Sequence, residues 1–183
     1  MSTFINILTL SRIFLAALIF ILLISPDGYL LALLLFFLAG ITDYFDGYFA
    51  RKYDAVSKLG EILDPIADKI LILFVLFGLA VNLSSYFIGF IGAVIITREI
   101  WVGALRDLNA RNGNSDLTKV TFLAKIKTTV QLGTLSIYLF GLAINNMLLI
   151  IIADIFLLIA LLITLYTGFI YTLNTFKNNE DAQ

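Results

Sequence analysis

The sequence predicts an all-α integral membrane protein of six transmembrane helices with both termini in the cytoplasm, and three observations carry that expectation. Of the 183 residues, 61% are hydrophobic and only 14% are charged, against roughly 25% charged in soluble domains; the mean hydropathy is +1.01. The apolar residues fall into six runs, near 7–24, 29–49, 62–81, 86–105, 122–144 and 147–173, each close to or above the roughly 20 residues that cross a bilayer. Lys and Arg are missing from the connections near 25–28, 82–85 and 145–146. They gather near 50–61 and 106–121, as Arg51, Lys52, Lys58, Arg106, Arg111 and Lys119, and Lys177 follows the last run. Positive residues mark the cytoplasmic side, so this alternation and an even helix count place both termini there. Residues 1–176 are expected to form the six-helix domain and 177–183 a frayed polar tail.

The first run is read as a retained helix, because no basic stretch with a small-residue cleavage site accompanies it; it opens with Asn6, Thr9 and Arg12. Ser25-Pro26-Asp27-Gly28 is a turn signal. The second run ends on Asp43 and Asp46, with Gly40, Gly47 and Ala50 small enough for close approach of a neighbour or ligand. Gly60 precedes the third run, which opens with Asp64 and Asp68 and is expected to hold Pro65 in its first turn, where the missing N–H is tolerated. The fourth run closes with Arg98, Glu99 and Arg106, and the fifth opens with Lys125 and Lys127. The sixth, longer than a crossing requires, contains Asp154 within LLIIIADIFLLIA. An acid inside a membrane segment demands an explanation; helix counting puts Asp154 in the outer half, so a hydrogen-bonded or interfacial role is expected. The other unusual polar residues share the cytoplasmic level, which points to an active site there.

Asp43 and Asp46 are three residues apart and Asp64 and Asp68 four apart, so each pair shares one helix face. Four unpaired carboxylates in apolar surroundings are costly and tend to bind protons or cations. The chain has no Cys and no His, which removes disulfides and thiolate chemistry and leaves acid–base work to carboxylates or lysines. Oxygen-only ligation favours Mg²⁺ or Mn²⁺ over zinc. The net charge of −1 gives no case for nucleic-acid binding. Arg98 and Arg106, eight residues apart, are separated by about 80° and about 12 Å on a helix, and forked guanidiniums suit phosphate. Lys125 and Lys127 are two apart and point in different directions on an ideal helix.

Asp43, Asp46, Gly47, Ala50, Arg51, Gly60, Asp64 and Asp68 match every fixed position and gap of the pattern Asp-x2-Asp-Gly-x2-Ala-Arg-x8-Gly-x3-Asp-x3-Asp, and in this the sequence resembles the CDP-alcohol phosphatidyltransferase family. The resemblance implies six transmembrane helices, a homodimer in a membrane lipid environment, and two divalent ions, Mg²⁺ or Mn²⁺. It implies Asp43, Asp46 and Asp64 as metal ligands, with Asp68 contacting one metal and acting as general base. Gly47, Ala50, Arg51 and Gly60 would line the cytidine nucleotide pocket. Asn6, Thr9 and Arg12 would lie near it, fitting the family's Asn-x2-Thr-x2-Arg. ITREI at 96–100, ALRD at 104–107 and AKIKTTVQ at 124–131 resemble bacterial members that act on glycerol 3-phosphate, although Ala124 stands where relatives usually carry Gly. The implied activity is transfer of the phosphatidyl group from CDP-diacylglycerol to the sn-1 hydroxyl of sn-glycerol 3-phosphate by direct displacement, at the bacterial cytoplasmic membrane. Arg98, Arg106, Lys125 and Lys127 would hold the acceptor phosphate. Competing readings are a sibling transferase using serine, inositol phosphate or phosphatidylglycerol, a Mg²⁺ channel or transporter, and a structural bundle. A channel needs a route across the membrane while these charges stay on one side; a structural bundle leaves the paired acids unexplained.

Overall fold

The computed structural model describes residues 2–52, 58–119 and 121–180, with the side chains of 2–5, 46, 49–51, 58, 59, 61 and 178–180 outside that description. The chain forms six helices: α1 (Ser2–Leu22), α2 (Tyr29–Lys52), α3 (Lys58–Asn82), α4 (Tyr86–Arg111), α5 (Phe122–Ala143) and α6 (Met147–Glu180). Short 3₁₀ turns, Pro26–Gly28 and Ser115–Thr118, lie in the connections before α2 and α5. Ser85 and Thr121 cap α4 and α5 by accepting from the backbone N–H of Ile88 and Ala124, each at 3.3 Å, which satisfies a donor the helix cannot. A Cβ on Gly28 would stand 2.2 Å from the Leu22 carbonyl oxygen, so the turn between α1 and α2 admits only glycine there.

Two local expectations change. Pro65 and Asp64 do not open α3. The helix starts at Lys58 and Pro65 lies inside it, where the ring removes one backbone hydrogen bond. The polar end of the chain does not fray at 177, because α6 continues as helix to Glu180.

The helices close into a ring. α1 packs on α2 and α3, α3 on α4, α4 on α6, α6 on α5, and α5 back on α2; α3 also touches α5 across the middle. This crossing contact divides the interior in two. At the end of the bundle holding the turns near 25, 84 and 145, the ring is filled by Ile19, Leu23, Leu33, Phe36, Val75, Leu79, Ile88, Ile91, Leu139 and Ile150, all buried. The opposite end buries polar groups instead, among them Thr9, Arg12, Arg98, Asn109, Lys127 and Gln131.

Among the described residues three helical segments are long and apolar enough to cross a membrane, Pro26–Phe45, Tyr86–Arg111 and Met147–Lys177. This corrects the expectation of six transmembrane helices, and with it the even-count argument that put both termini on one side. The physical reason lies in what the other helices carry. In α1, Asn6, Thr9, Ser11 and Arg12 leave Ile13–Leu22 as the uninterrupted apolar run. In α3, Asp64, Pro65, Asp68 and Lys69 leave Ile70–Val81 as the uninterrupted apolar run, about 18 Å long against a hydrocarbon core of about 30 Å. Lys125, Lys127, Thr128, Thr129, Gln131 and Thr134 do the same to α5. The protein is a multi-pass membrane protein whose outward faces carry exposed Phe14, Phe90, Leu162 and Phe169.

Asp154 on α6 accepts a 2.5 Å hydrogen bond from the wholly buried Tyr138 hydroxyl on α5. Interhelical hydrogen bonds inside membranes contribute on average about 0.6 and at most about 1.7 kcal/mol. Tyr138→Phe should lower stability by that order in a thermal unfolding series in detergent. Asp154→Asn, which keeps an acceptor, should lower it less.

Candidate active site

Arg12 has no accessible surface, and three carboxylates converge on it. Its Nη1 donates to Asp43 of α2 and, at 2.6 Å, to Asp68 of α3, while Nη2 lies 3.4 Å from Asp64. Thr9, one turn earlier on α1, donates to the same Asp64 oxygen at 2.7 Å. The three Asp side chains remain 43–55% exposed. Arg12, Asp43 and Asp68 border a small cavity of about 90 Å³ between α1, α2, α3 and α5. Asn6 and Gly47 are half-buried and Gly60 is buried. The side chains of Asp46, Ala50 and Arg51, the remaining members of the expected set, lie outside the described residues.

The second half of the ring holds a larger cavity, about 220 Å³, between α3, α4 and α5. Arg98, Arg106 and Lys127 line it, together with Asp68, Lys69 and Glu99. Asp68, Ile72 and Thr128 border both cavities, so the α3–α5 contact is a shared wall and Asp68 faces both sides of it. Lys125 is exposed and does not line this cavity. With Lys127 turned inward, a residue two positions away is rotated by about 200°, so the two lysines leave α5 in different directions, as their spacing implies.

Glu99 organises the basic side chains. It accepts from Lys127 of α5 and, at 3.0 Å, from Arg98. Arg98 is further held by Nη2 donating to Thr167 on α6 at 2.7 Å, and both Arg98 and Arg106 stand 5.8 Å from the Tyr171 ring centroid. Gly168 makes this route possible: a Cβ there would lie 2.9 Å from Arg98 Nε and 3.0 Å from its Cγ. The pattern repeats along α6. Thr164 accepts from Gln131, Thr172 from Trp101 and Thr175 from Asn109. Glu99, Lys69, Gly168 and these threonines were not among the site residues expected from sequence. Glu99 alone carried a signal, as an acid within an apolar helix.

Paired carboxylates beside a cationic pocket, at one end of an apolar bundle, form a site with the chemistry to meet charged groups of either sign. Residues 3–166 match the family described as CDP-alcohol phosphatidyltransferase, and the chain belongs to that family. It is similar to CDP-diacylglycerol–glycerol-3-phosphate 3-phosphatidyltransferases of several bacteria. The protein of that name from Rickettsia bellii is 40% identical over 171 residues, covering 91% of each chain. One from Salmonella choleraesuis is 32% identical over 133 residues, covering 72% of this chain and 73% of its own. One from Blochmanniella floridana is 40% identical over 103 residues, and the match spans about half of each, 56% and 54%. At the level of the family the protein is a transferase of phospholipid biosynthesis.

The family uses divalent metal ions, and the residues can be tested against that need. Among the described residues, no three acids are spaced to hold an ion as they stand; Asp43, Asp64 and Asp68 are instead arranged around the Arg12 guanidinium. The donor chemistry fits nevertheless. The carboxylates are oxygen ligands of the kind hard cations take, and three negative charges facing one positive leave an excess of two.

Breaking a buried ion pair by removing one partner costs about 3–5 kcal/mol, whereas replacing the whole pair with apolar residues is often neutral. Glu99 and Lys127 are 17% and 9% exposed. Glu99→Leu should therefore destabilise the protein by that order in detergent unfolding. The double variant Glu99→Leu/Lys127→Met should recover most of the loss.

Proposed function

We propose that the protein transfers the phosphatidyl group of CDP-diacylglycerol to the sn-1 hydroxyl of sn-glycerol 3-phosphate, releasing phosphatidylglycerophosphate and CMP. The observation that carries this reading is the cavity lined by Arg98, Arg106, Lys127 and Asp68: a cationic wall suited to phosphate and a half-exposed carboxylate opening on the same space. The names of the bacterial relatives point to the same acceptor. A serine acceptor would not require this many cations.

In this reading Arg98, Arg106 and Lys127 hold the acceptor phosphate, and Lys125, exposed nearby, contributes only through space. Glu99 and Thr167 fix Arg98 so that its planar fork is presented rather than searched for, which makes the attack effectively unimolecular. Asp68 takes the proton of the attacking hydroxyl as that oxygen bonds to the phosphorus nearest the diacylglycerol and the bond from phosphorus to the CMP oxygen breaks. The chain has no Cys or His, and the Thr128 hydroxyl bordering both cavities donates to the Ala124 carbonyl of its own helix with no base engaged to activate it, which favours direct displacement. Asp43, Asp46, Asp64 and Asp68 would hold two Mg²⁺ or Mn²⁺ ions. Such ions neutralise pyrophosphate oxygens and stabilise the leaving nucleotide. Thr9, Arg12, Gly47, Ala50, Arg51, Gly60 and Asn6 form the surroundings of the cytidine nucleotide. The basic residues at this end of the bundle, Lys52, Arg106, Arg111 and Lys119, support a site on the cytoplasmic face of the bacterial inner membrane. A homodimer is the assembly the family resemblance implies.

Two measurements test the reading. Purified protein given CDP-diacylglycerol with glycerol 3-phosphate, serine or inositol phosphate should make phosphatidylglycerophosphate in preference; serine as the better acceptor overturns the assignment. In the same assay Arg106→Ala should raise the KM for glycerol 3-phosphate about 10- to 150-fold, the equivalent of about 1.5–3 kcal/mol for hydrogen bonds to a charged group. The KM for CDP-diacylglycerol should move less, and Arg111→Ala, at the exposed end of α4, should change neither. Exhaustive EDTA treatment should abolish CMP release and added Mg²⁺ or Mn²⁺ should restore it; full activity without divalent ions removes the metal from the reading.

A further inference from the structure

We infer that Lys69 is a fourth ligand of the acceptor phosphate and a determinant of selectivity for phosphate monoesters. The inference rests on the glycerol 3-phosphate reading above and extends it to a residue on a different helix from the other three cations. Lys69 follows Asp68 on α3, so the two side chains leave the helix about 100° apart. Asp68 turns to Arg12 and the shared wall, while Lys69 turns to α4 and lines the larger cavity. Its ammonium lies 3.6 Å from where a Cβ on Gly103 would stand. That is ordinary van der Waals contact, so a side chain at 103 would bear on the end of Lys69 only where it extends beyond Cβ, as leucine does.

Charge decides what the cavity accepts. Lys69, Arg98, Arg106 and Lys127 place four positive charges on its wall, and Asp68 and Glu99 two negative ones, a balance of +2. The Glu99 carboxylate is already engaged by Lys127 and Arg98, and Asp68 by Arg12. Among the described residues no carboxylate lies within ion-pair distance of Lys69. An ammonium in a half-buried, partly apolar wall is stabilised when an anion meets it. A phosphate monoester carrying two negative charges restores neutrality; an uncharged or zwitterionic alcohol does not. Because Lys69 adjoins Asp68 in sequence, an anion held by it keeps the rest of the acceptor within the cavity that Asp68 faces.

Lys69→Met retains the aliphatic stem and removes the charge. Steady-state kinetics with each substrate varied in turn should show the KM for sn-glycerol 3-phosphate raised about tenfold or more, with the KM for CDP-diacylglycerol shifted less than about threefold. Inorganic phosphate should compete with the acceptor, and its inhibition constant should rise in parallel in Lys69→Met. Lys69→Arg should restore most of both, and Gly103→Leu should reproduce the acceptor defect. An unchanged acceptor KM, or equal losses for both substrates, overturns the inference while the acceptor reading stands. Failure of the unmodified enzyme to use glycerol 3-phosphate overturns that reading and this inference together.

Discussion

An arginine keeps its charge when it is buried, and Arg12 is buried completely. In an apolar bundle such a group is tolerable only where carboxylates reach it, and that requirement fixes how three helices meet. Asp43 must arrive from α2 and Asp64 and Asp68 from α3, all at the level of the third turn of α1. The pairing ties α1 to both neighbours at the end where the apolar core has run out. It also leaves more negative than positive charge. The surplus stays half-exposed along the cavity instead of being sealed inside, which is the condition under which carboxylates can exchange one cation for another.

The second cavity solves the same difficulty with the signs reversed. Arg98 and Lys127 come from different helices and would repel each other without Glu99 between them. One further donor of Arg98 is met by Thr167 of α6, a helix that contributes no charge to the site but offers a hydroxyl at successive levels, with Thr164 accepting from Gln131, Thr172 from Trp101 and Thr175 from Asn109. Three of these hydroxyls donate in turn to the carbonyl four residues back on α6, so each is oriented by its own helix before it accepts from a neighbour. Gly168 completes the arrangement by letting the Arg98 stem lie against the backbone. A helix that looks from its composition like a lipid-facing span is also what positions Arg98.

The parts legible in the sequence were those with a period or a spacing. Asp64 and Asp68, four apart, reach the same Arg12, and Arg98 and Arg106, eight apart, line one cavity, as helix geometry allows, and the six helices follow the apolar runs. The number of crossings was not legible in the same way. Averaging hydropathy over a run counts Ile70–Val81 and the polar residues before it as one segment, whereas the site occupies the first part of α3 and shortens what can face hydrocarbon. Pro65 was misplaced for a related reason: a proline suits a helix start, and nothing local reveals that α3 begins seven residues earlier. A spacing of two could not say which of Lys125 and Lys127 turns inward, because that depends on how α5 is rotated against α3. Glu99 had a recognisable oddity but no recognisable partner, since Lys127 is 28 residues away. Threonine in a membrane helix usually satisfies itself on its own backbone, so the α6 hydroxyls gave no warning of a second use.

The division of the ring by the α3–α5 contact is what joins these two charge clusters into a single device. Arg12 with its carboxylates lies on one side and the cationic wall on the other; Asp68, Ile72 and Thr128 form the partition. A group bound on either side therefore meets Asp68 without passing through the protein, as a displacement between two substrates requires. The same layout argues against an ion conduit. Beyond the partition the interior is closed by Leu76, Leu79, Ile88, Ile91 and Leu139, each no more than 2% exposed. The polar groups described at that level, such as Tyr138 and Asp154, are bonded to each other across α5 and α6 rather than aligned along an axis. Charges gathered at one end above a packed apolar floor can receive ions and headgroups from that end, but they offer no path to the other.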